Sequence, residues 1–298
     1  MTHSNLRRAA AAILVAAFSL SVVPLRAGNE KNYTYLALGD SIPYGLNPTL
    51  LPSGPGQSSP APGDFKGYPE MYSAAEHLDH AKKMVNASCP GETSGSFRLM
   101  GIPDNGCYGL GPQGQPPFRT SIGLHTDYAG TQLEFALSEL ADNKHIDLVT
   151  LSLGANDVLL ILQDCAPTPD PKACVAARLP AALQAVGSNL SQILAALRQK
   201  YTGTIVLLTY YAPSIELIGV VAPLNAIIAE VGGMFNARIA DGFGAFQLAS
   251  ALFGGDPCAA GLLVRLNAAA CDLHASPKGQ RLLAAAVAVS ISHRGWKD

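Results

Sequence analysis

The run Tyr35-Leu36-Ala37-Leu38 is apolar and uncharged, and it stops abruptly in Gly39-Asp40-Ser41-Ile42-Pro43. A buried strand ending in a glycine and two small polar residues puts a serine hydroxyl at a sheet edge, where open α/β sheets carry their sites. Two later runs end in the same way. Residues 84–88 lead into Cys89-Pro90-Gly91-Glu92-Thr93, and residues 146–153 lead into Gly154-Ala155-Asn156-Asp157. Repeated strand-then-loop punctuation, alternating with helical spacing, restricts the chain to a parallel sheet covered on both faces.

Apolar runs predict strands over 33–38, 84–88, 146–153, 204–209 and 243–249. Helical spacing predicts helices over 68–83, 130–142, 179–200, 224–239 and 277–292, with a short one over 262–269. Pro277 falls in the first turn of the closing helix, where proline is tolerated. Two segments rich in Gly and Pro, 47–67 and 96–127, read as long loops, candidates for a lid or pocket wall. Right-handed crossovers make a doubly wound sheet the natural topology, with 28–298 as one domain. With 48% hydrophobic and 14% charged residues in 298, a sizeable core is expected.

The first residues read as an export signal. Arg7 and Arg8 precede an apolar stretch from Ala9 to Val23, broken by Pro24, with a cleavage site at Leu25-Arg26-Ala27. The stretch is shorter than the ~20 residues of a spanning helix, so residues 1–27 are expected to be a cleaved signal peptide leaving no membrane span. The expected location is secreted or periplasmic. Six cysteines agree with export and favour disulfides. Nearest-neighbour pairing, Cys89 with Cys107, Cys165 with Cys174 and Cys258 with Cys271, would staple one loop-rich segment each. No C-x-x-C occurs and the histidines do not gather at the cysteines, so no metal is expected. His77 and His80, although spaced i, i+3, read as a solvated helix face. The net charge of -2 and the absence of a basic patch exclude nucleic acid as an expected partner.

The three strand ends and Cys271-Asp272-Leu273-His274 assemble into chemistry. A serine is a weak nucleophile until a base takes its proton. His274 is the candidate base, because an imidazole titrates near neutrality. Asp272 is the nearest carboxylate to hold its tautomer; a backbone carbonyl or Asp256 could do so instead. Backbone N–H groups of Ser41 and Gly91 and the Asn156 amide are candidate oxyanion donors. Asp40 and Asp157 read as loop braces. His125 and His145 read as surface residues. Tyr210 and Tyr211 suit either a pocket wall or a core position with a bonded hydroxyl. Asn32, Asn86 and Asn189 head glycosylation sequons, relevant only in a eukaryotic secretory pathway.

Gly39-Asp40-Ser41, Gly91, Gly154-x-Asn156-Asp157 and Asp272-x-His274 together resemble the four ordered blocks of the SGNH hydrolases, the GDSL esterase/lipase family. The resemblance spans the mature chain and is nearest to exported bacterial members, through Asn86–Ser94, Leu153–Asp157 and Gly254–Cys258. It implies a flavodoxin-like three-layer α/β/α sandwich and hydrolysis of small-molecule or lipid carboxylic esters through an acyl-enzyme, without cofactor. A monomer is expected. Carbohydrate O-acetylesterase activity, and a non-catalytic binding module of the same fold, are the alternative readings. The chain departs from the family where Cys271 stands three residues before His274 in place of the usual Asp. Ile42 replaces Leu in the first block, and Ala275 replaces the common Pro.

Overall fold

The computed structural model describes residues 34–52, 58–76, 84–111 and 114–292. The signal-peptide reading of 1–27, the His77/His80 pair and the Asn32 sequon lie outside them. In chain order the elements are β1 (Tyr35–Gly39), α1 (Ser41–Tyr44), α2 (Tyr68–Ala75), β2 (Met84–Asn86), α3 (Phe118–Ser121), α4 (Gln132–Asp142), β3 (Leu148–Ser152), α5 (Ala155–Cys165), α6 (Pro171–Lys200) and β4 (Thr204–Leu208). There follow α7 (Ile218–Met234), β5 (Arg238–Ala240), α8 (Gly242–Ser250), β6 (Leu263–Arg265), β7 (Cys271–Ala275) and α9 (Pro277–Ser292).

Strands β1 to β5 form one parallel sheet in the order β2-β1-β3-β4-β5. This is the flavodoxin-like order, which reverses direction between β1 and β3 and opens a crevice there. Helices α4, α5 and α7 pack on α6 over one face, while α2 and α8 pack on α9 over the other. The result is a three-layer α/β/α sandwich. Every residue of β1 and β3 is buried, which is why these strands read as continuous apolar runs rather than alternating ones. Burying Leu36, Leu38 and Leu151, each at most 1% exposed, contributes roughly 1.5–3 kcal/mol per side chain.

Three predicted elements are corrected. Residues 243–249 form helix α8, not a strand. Asp241 caps it by accepting from the Gly244 amide at 2.8 Å, and Gly242, Phe246 and Ser250 turn inward at helical spacing. Residues 262–269 do not form a helix. β6 pairs antiparallel with β7, Leu263 against Ala275 and Arg265 against Cys271. The 224–239 helix is split: α7 starts earlier, at Ile218, and stops at Met234, Asn236 takes φ 52°, and Arg238–Ala240 joins the sheet edge. Two smaller differences concern loops. The 47–67 segment contains 3-10 turns at Pro48–Leu50 and Pro62–Asp64, and Gly154-Ala155-Asn156-Asp157 opens helix α5.

Disulfides join Cys89 to Cys107, Cys165 to Cys174, and Cys258 to Cys271. Three disulfides suggest an oxidising compartment, extracellular or periplasmic. Within residues 215–234 an 18-residue stretch reaches a mean hydropathy of 1.7, yet α7 packs on α6, β4 and β5 as a layer of the sandwich.

Candidate active site

Ser41 is the first residue of α1, which turns immediately off the end of β1. Asp40 caps that single turn, accepting from the Ile42 amide at 2.9 Å, and its other oxygen accepts from the Tyr210 hydroxyl at 2.5 Å. A one-turn helix leaves its carbonyls without intrahelical partners. Here the Gly45 and Leu46 amides close on Ser41 O and Ile42 O, and three distant side chains add to them: Gln280 donates to Ile42 O, Asn86 to Pro43 O, and the His125 ring meets Tyr44 O at 3.0 Å. The serine therefore stands on a fixed base. This corrects two sequence readings. His125 is part-buried and packs its ring 4.6 Å from that of Tyr44. Asn86, 2% exposed and bonded to both Pro43 and Glu70, is closed to glycosylation. His145 is exposed.

The hairpin β6–β7 brings the C-terminal block across 233 residues of sequence to Ser41. His274 Nε2 lies 2.9 Å from Ser41 Oγ. Its Nδ1 meets Asp272 Oδ1, and the same carboxylate oxygen accepts from the His274 amide at 2.9 Å. Alternation along a strand puts residues two apart on one face, so an Asp two before the His reaches it. Asp256 instead accepts from the amides of Cys258 and Ala259 in its own turn. The Cys258–Cys271 disulfide is anchored one residue from Asp272. Burial would raise the Asp272 pKa, but the hydrogen bond and charge of His274 outweigh it and hold the carboxyl below its ordinary value. Tyr211 donates to Leu273 O at 2.9 Å and stacks on Phe246 with centroids 4.0 Å apart, steadying the strand between the two residues.

Gly91 lies on the loop after β2 with φ 84°, and a Cβ there would sit 2.4 Å from Asn105 O, so only glycine fits. Asn156, in the first turn of α5, donates to Glu92 O and accepts from the Asn105 side chain, both at 2.9 Å. Asn156 and Ser41 line one pocket, whereas Gly91 is not among its lining residues. Asp157 accepts from the amide and hydroxyl of Ser94, at 2.8 and 2.6 Å, bracing the same loop.

The pocket beside Ser41 has a volume of about 120 Å³, and its wall is formed by Leu159 and Leu162 of α5 and by Leu217, Val220, Val221 and Leu224 in and before α7. Sequence reasoning missed these side chains, and pointed to the 47–67 and 96–127 loops. Those loops instead close on each other, burying Phe65 and Ile122 against Tyr44 and Leu46. Tyr210 and Tyr211 are both buried with bonded hydroxyls and line the pocket as well. Asn225 holds the Tyr210 backbone from both sides, at 2.8 and 2.7 Å; no motif announced it.

Among the described residues, one metal-like cluster occurs, Cys89, Glu92 and Cys107. Both sulfurs are spent in a disulfide, so it offers no thiolate. Burial raises Glu92 to about 8, against hydrogen bonds from Gln132 and Ser96, and raises Asp40 to about 6, against the Tyr210 hydroxyl. A carboxyl whose folded pKa is raised stabilises fully below its unfolded pKa, and that contribution is lost as pH rises through the folded value. Stability from these two groups is therefore expected to decline from the ordinary carboxylate range up to about pH 8. Urea midpoints at pH 5 and pH 8.5 test this. Glu92→Gln should shrink the fall, and an unchanged fall would remove Glu92 as its source.

A hydroxyl, an imidazole and a carboxylate in hydrogen-bonded series, at the carboxyl edge of an open parallel sheet, can deprotonate the hydroxyl for attack on an acyl carbon. Fold and site together define a three-layer α/β protein with a serine–histidine–carboxylate series at its sheet edge. The GDSL-like Lipase/Acylhydrolase family matches residues 37–282. The chain belongs to this family and is a carboxylic ester hydrolase of the serine esterase/lipase kind. Similar solved structures include phospholipase A1 from Streptomyces albidoflavus, with 17% identity, TM-score 0.52, and coverage of 87% of this chain and 99% of that one. An acetylxylan esterase from Geobacillus stearothermophilus aligns with 14% identity, TM-score 0.52, and coverage of 89% and 97%. At such identities the likeness is one of fold. No curated protein matches the chain.

Proposed function

We propose that Ser41, His274 and Asp272 are the catalytic residues of a secreted esterase or lipase that acts on esters with an apolar acyl chain. The observation that carries this reading is the unbroken series Asp272–His274–Ser41 opening onto an apolar pocket. Ser41 Oγ attacks the acyl carbon as its proton passes to His274 Nε2. Asp272 stabilises the imidazolium and keeps its tautomer. The oxyanion is received by the amides of Ser41 and Gly91 and by Asn156 Nδ2. His274 then protonates the leaving alkoxide, and water, activated by the same ring, hydrolyses the acyl-enzyme. The Ser41 amide, at the first position of α1, has no partner within the helix and so suits the oxyanion role.

The apolar wall favours an acyl tail over the small pocket an O-acetylesterase needs. Export by residues 1–27, a single domain over 28–298 and a monomeric state complete the reading. Hydrolysis of p-nitrophenyl esters of increasing acyl length tests it, with Leu162→Trp as the diagnostic variant. The substitution is expected to fill the pocket, cutting kcat/KM for the longer chains by roughly 10–200-fold while sparing the acetate. An unchanged chain-length profile would place the acyl group elsewhere.

A further inference from the structure

β1 outlasts its neighbour. β2 ends at Asn86, paired with Ala37, while β1 continues to Gly39. The chain beyond β2 still runs along it, with Cys89 N donating to Gly39 O at 2.9 Å, and one side chain inserts beside that last residue. Gln132 of α4, fully buried, accepts from the Gly39 amide at 2.6 Å and donates to Gly39 O at 3.0 Å. The Gln132 amide thus takes the Gly39 N–H and shares Gly39 O with the Cys89 N–H, fixing both backbone groups of that residue. The same Nε2 donates to Glu92 Oε2 at 2.8 Å. Glu92, also fully buried, accepts from Ser96 Oγ at 3.2 Å, and its backbone oxygen accepts from Asn156 Nδ2 at 2.9 Å. One continuous path thus runs from Gly39, two residues before Ser41, through Gln132 to Glu92, next to Gly91, and on to Asn156.

We propose that Gln132 and Glu92 are positioning residues of the oxyanion hole, setting the amides of Ser41 and Gly91 and the Asn156 side chain at fixed separations. The inference rests on the oxyanion role proposed for those three groups. Thr131 and Glu134 close a capping box around the first turn of α4, with bonds of 3.2 and 2.8 Å, so Gln132 projects from a fixed helix start. The Cys89–Cys107 disulfide holds the Glu92 loop from the other side. A hole works by donors already in place when charge develops. Their loss therefore appears in the transition state, not in ground-state binding.

Glu92 serves this purpose as a neutral acid. Asp104, Tyr108, Tyr128 and Arg119 are the titratable groups that act on it. Burial keeps it protonated to about pH 8 against the single opposing charge of Arg119. Above that, a buried carboxylate in the loop would disturb the donors.

The experiment uses the full chain and a soluble butyrate ester, with a boronic acid as the probe of a tetrahedral adduct on Ser41. Gln132→Leu is expected to lower kcat by roughly 10–100-fold with KM within about twofold, and to weaken the boronate by a similar factor. Gln132→Met, close in length and shape but with neither donor nor carbonyl acceptor, should behave alike and serves if the leucine variant does not fold. Glu92→Leu should lose activity and Glu92→Gln should regain most of it, now without the decline in kcat above about pH 8. Folded Gln132 variants with normal kcat and boronate affinity would overturn the proposal, as would a wild-type alkaline decline that persists in Glu92→Gln. Asn156→Ala separates the two layers. If it too leaves kcat and boronate affinity unchanged, the oxyanion reading itself fails; if it alone loses both, only the positioning roles fail.

Discussion

Ser41→Ala is expected to lower ester turnover by roughly 10⁴–10⁶-fold while leaving the thermal midpoint close to that of the parent protein. The asymmetry follows from the local structure. Ser41 Oγ touches His274, while α1 is held by its capping Asp40 and by Gln280, Asn86 and His125 on its carbonyls. Removing one hydroxyl deletes the nucleophile and disturbs none of those bonds. Side-by-side p-nitrophenyl ester rates and melting curves measure both halves. Equal rates for the two proteins would end the catalytic reading of Ser41.

Asp272→Asn is the second large effect. With an asparagine against Nδ1, the side-chain amide favours the tautomer whose Nε2 carries the proton, and that nitrogen cannot then accept from Ser41. A loss of kcat near 10⁴-fold is expected, approaching that of His274→Ala. The contrast with Asp256 sharpens this test. Asp256 is engaged by the Cys258 and Ala259 amides, so Asp256→Asn should leave kcat within a few fold. A small loss for Asp272→Asn beside a large one for His274→Ala would assign the orienting role to a backbone carbonyl.

The site is more legible in the sequence than the fold around it. Gly39-Asp40-Ser41, Gly91, Asn156 and Asp272-x-His274 are short blocks whose residue types carry their chemistry wherever they fall. Gly91 must be glycine because its φ is 84° and Asn105 O leaves no room for a Cβ. The strongly apolar strands could be read too, since β1 and β3 are buried on both faces. Elements with mixed patterns failed. Phe243-Gly-Ala-Phe246 has aromatic residues that suit a strand, but Asp241 caps a helix there and Phe246 packs on Tyr211. Leu262-Leu263-Val264 is apolar enough for either state, and pairing with β7 decided it.

By itself the sequence determined the alternation of strands and helices, the strand ends that carry Ser41, Gly91 and Asn156, and the pairing of a base with a nearby acid. These are local properties, written in residue type and spacing. The tertiary structure alone decided that a hairpin delivers His274 to Ser41, that α5 and α7 rather than the long loops wall the pocket, and that Gln132 holds both backbone groups of Gly39. Each of those depends on contacts between residues more than 90 positions apart in the chain, and no local pattern encodes which distant side chain will fill a given gap.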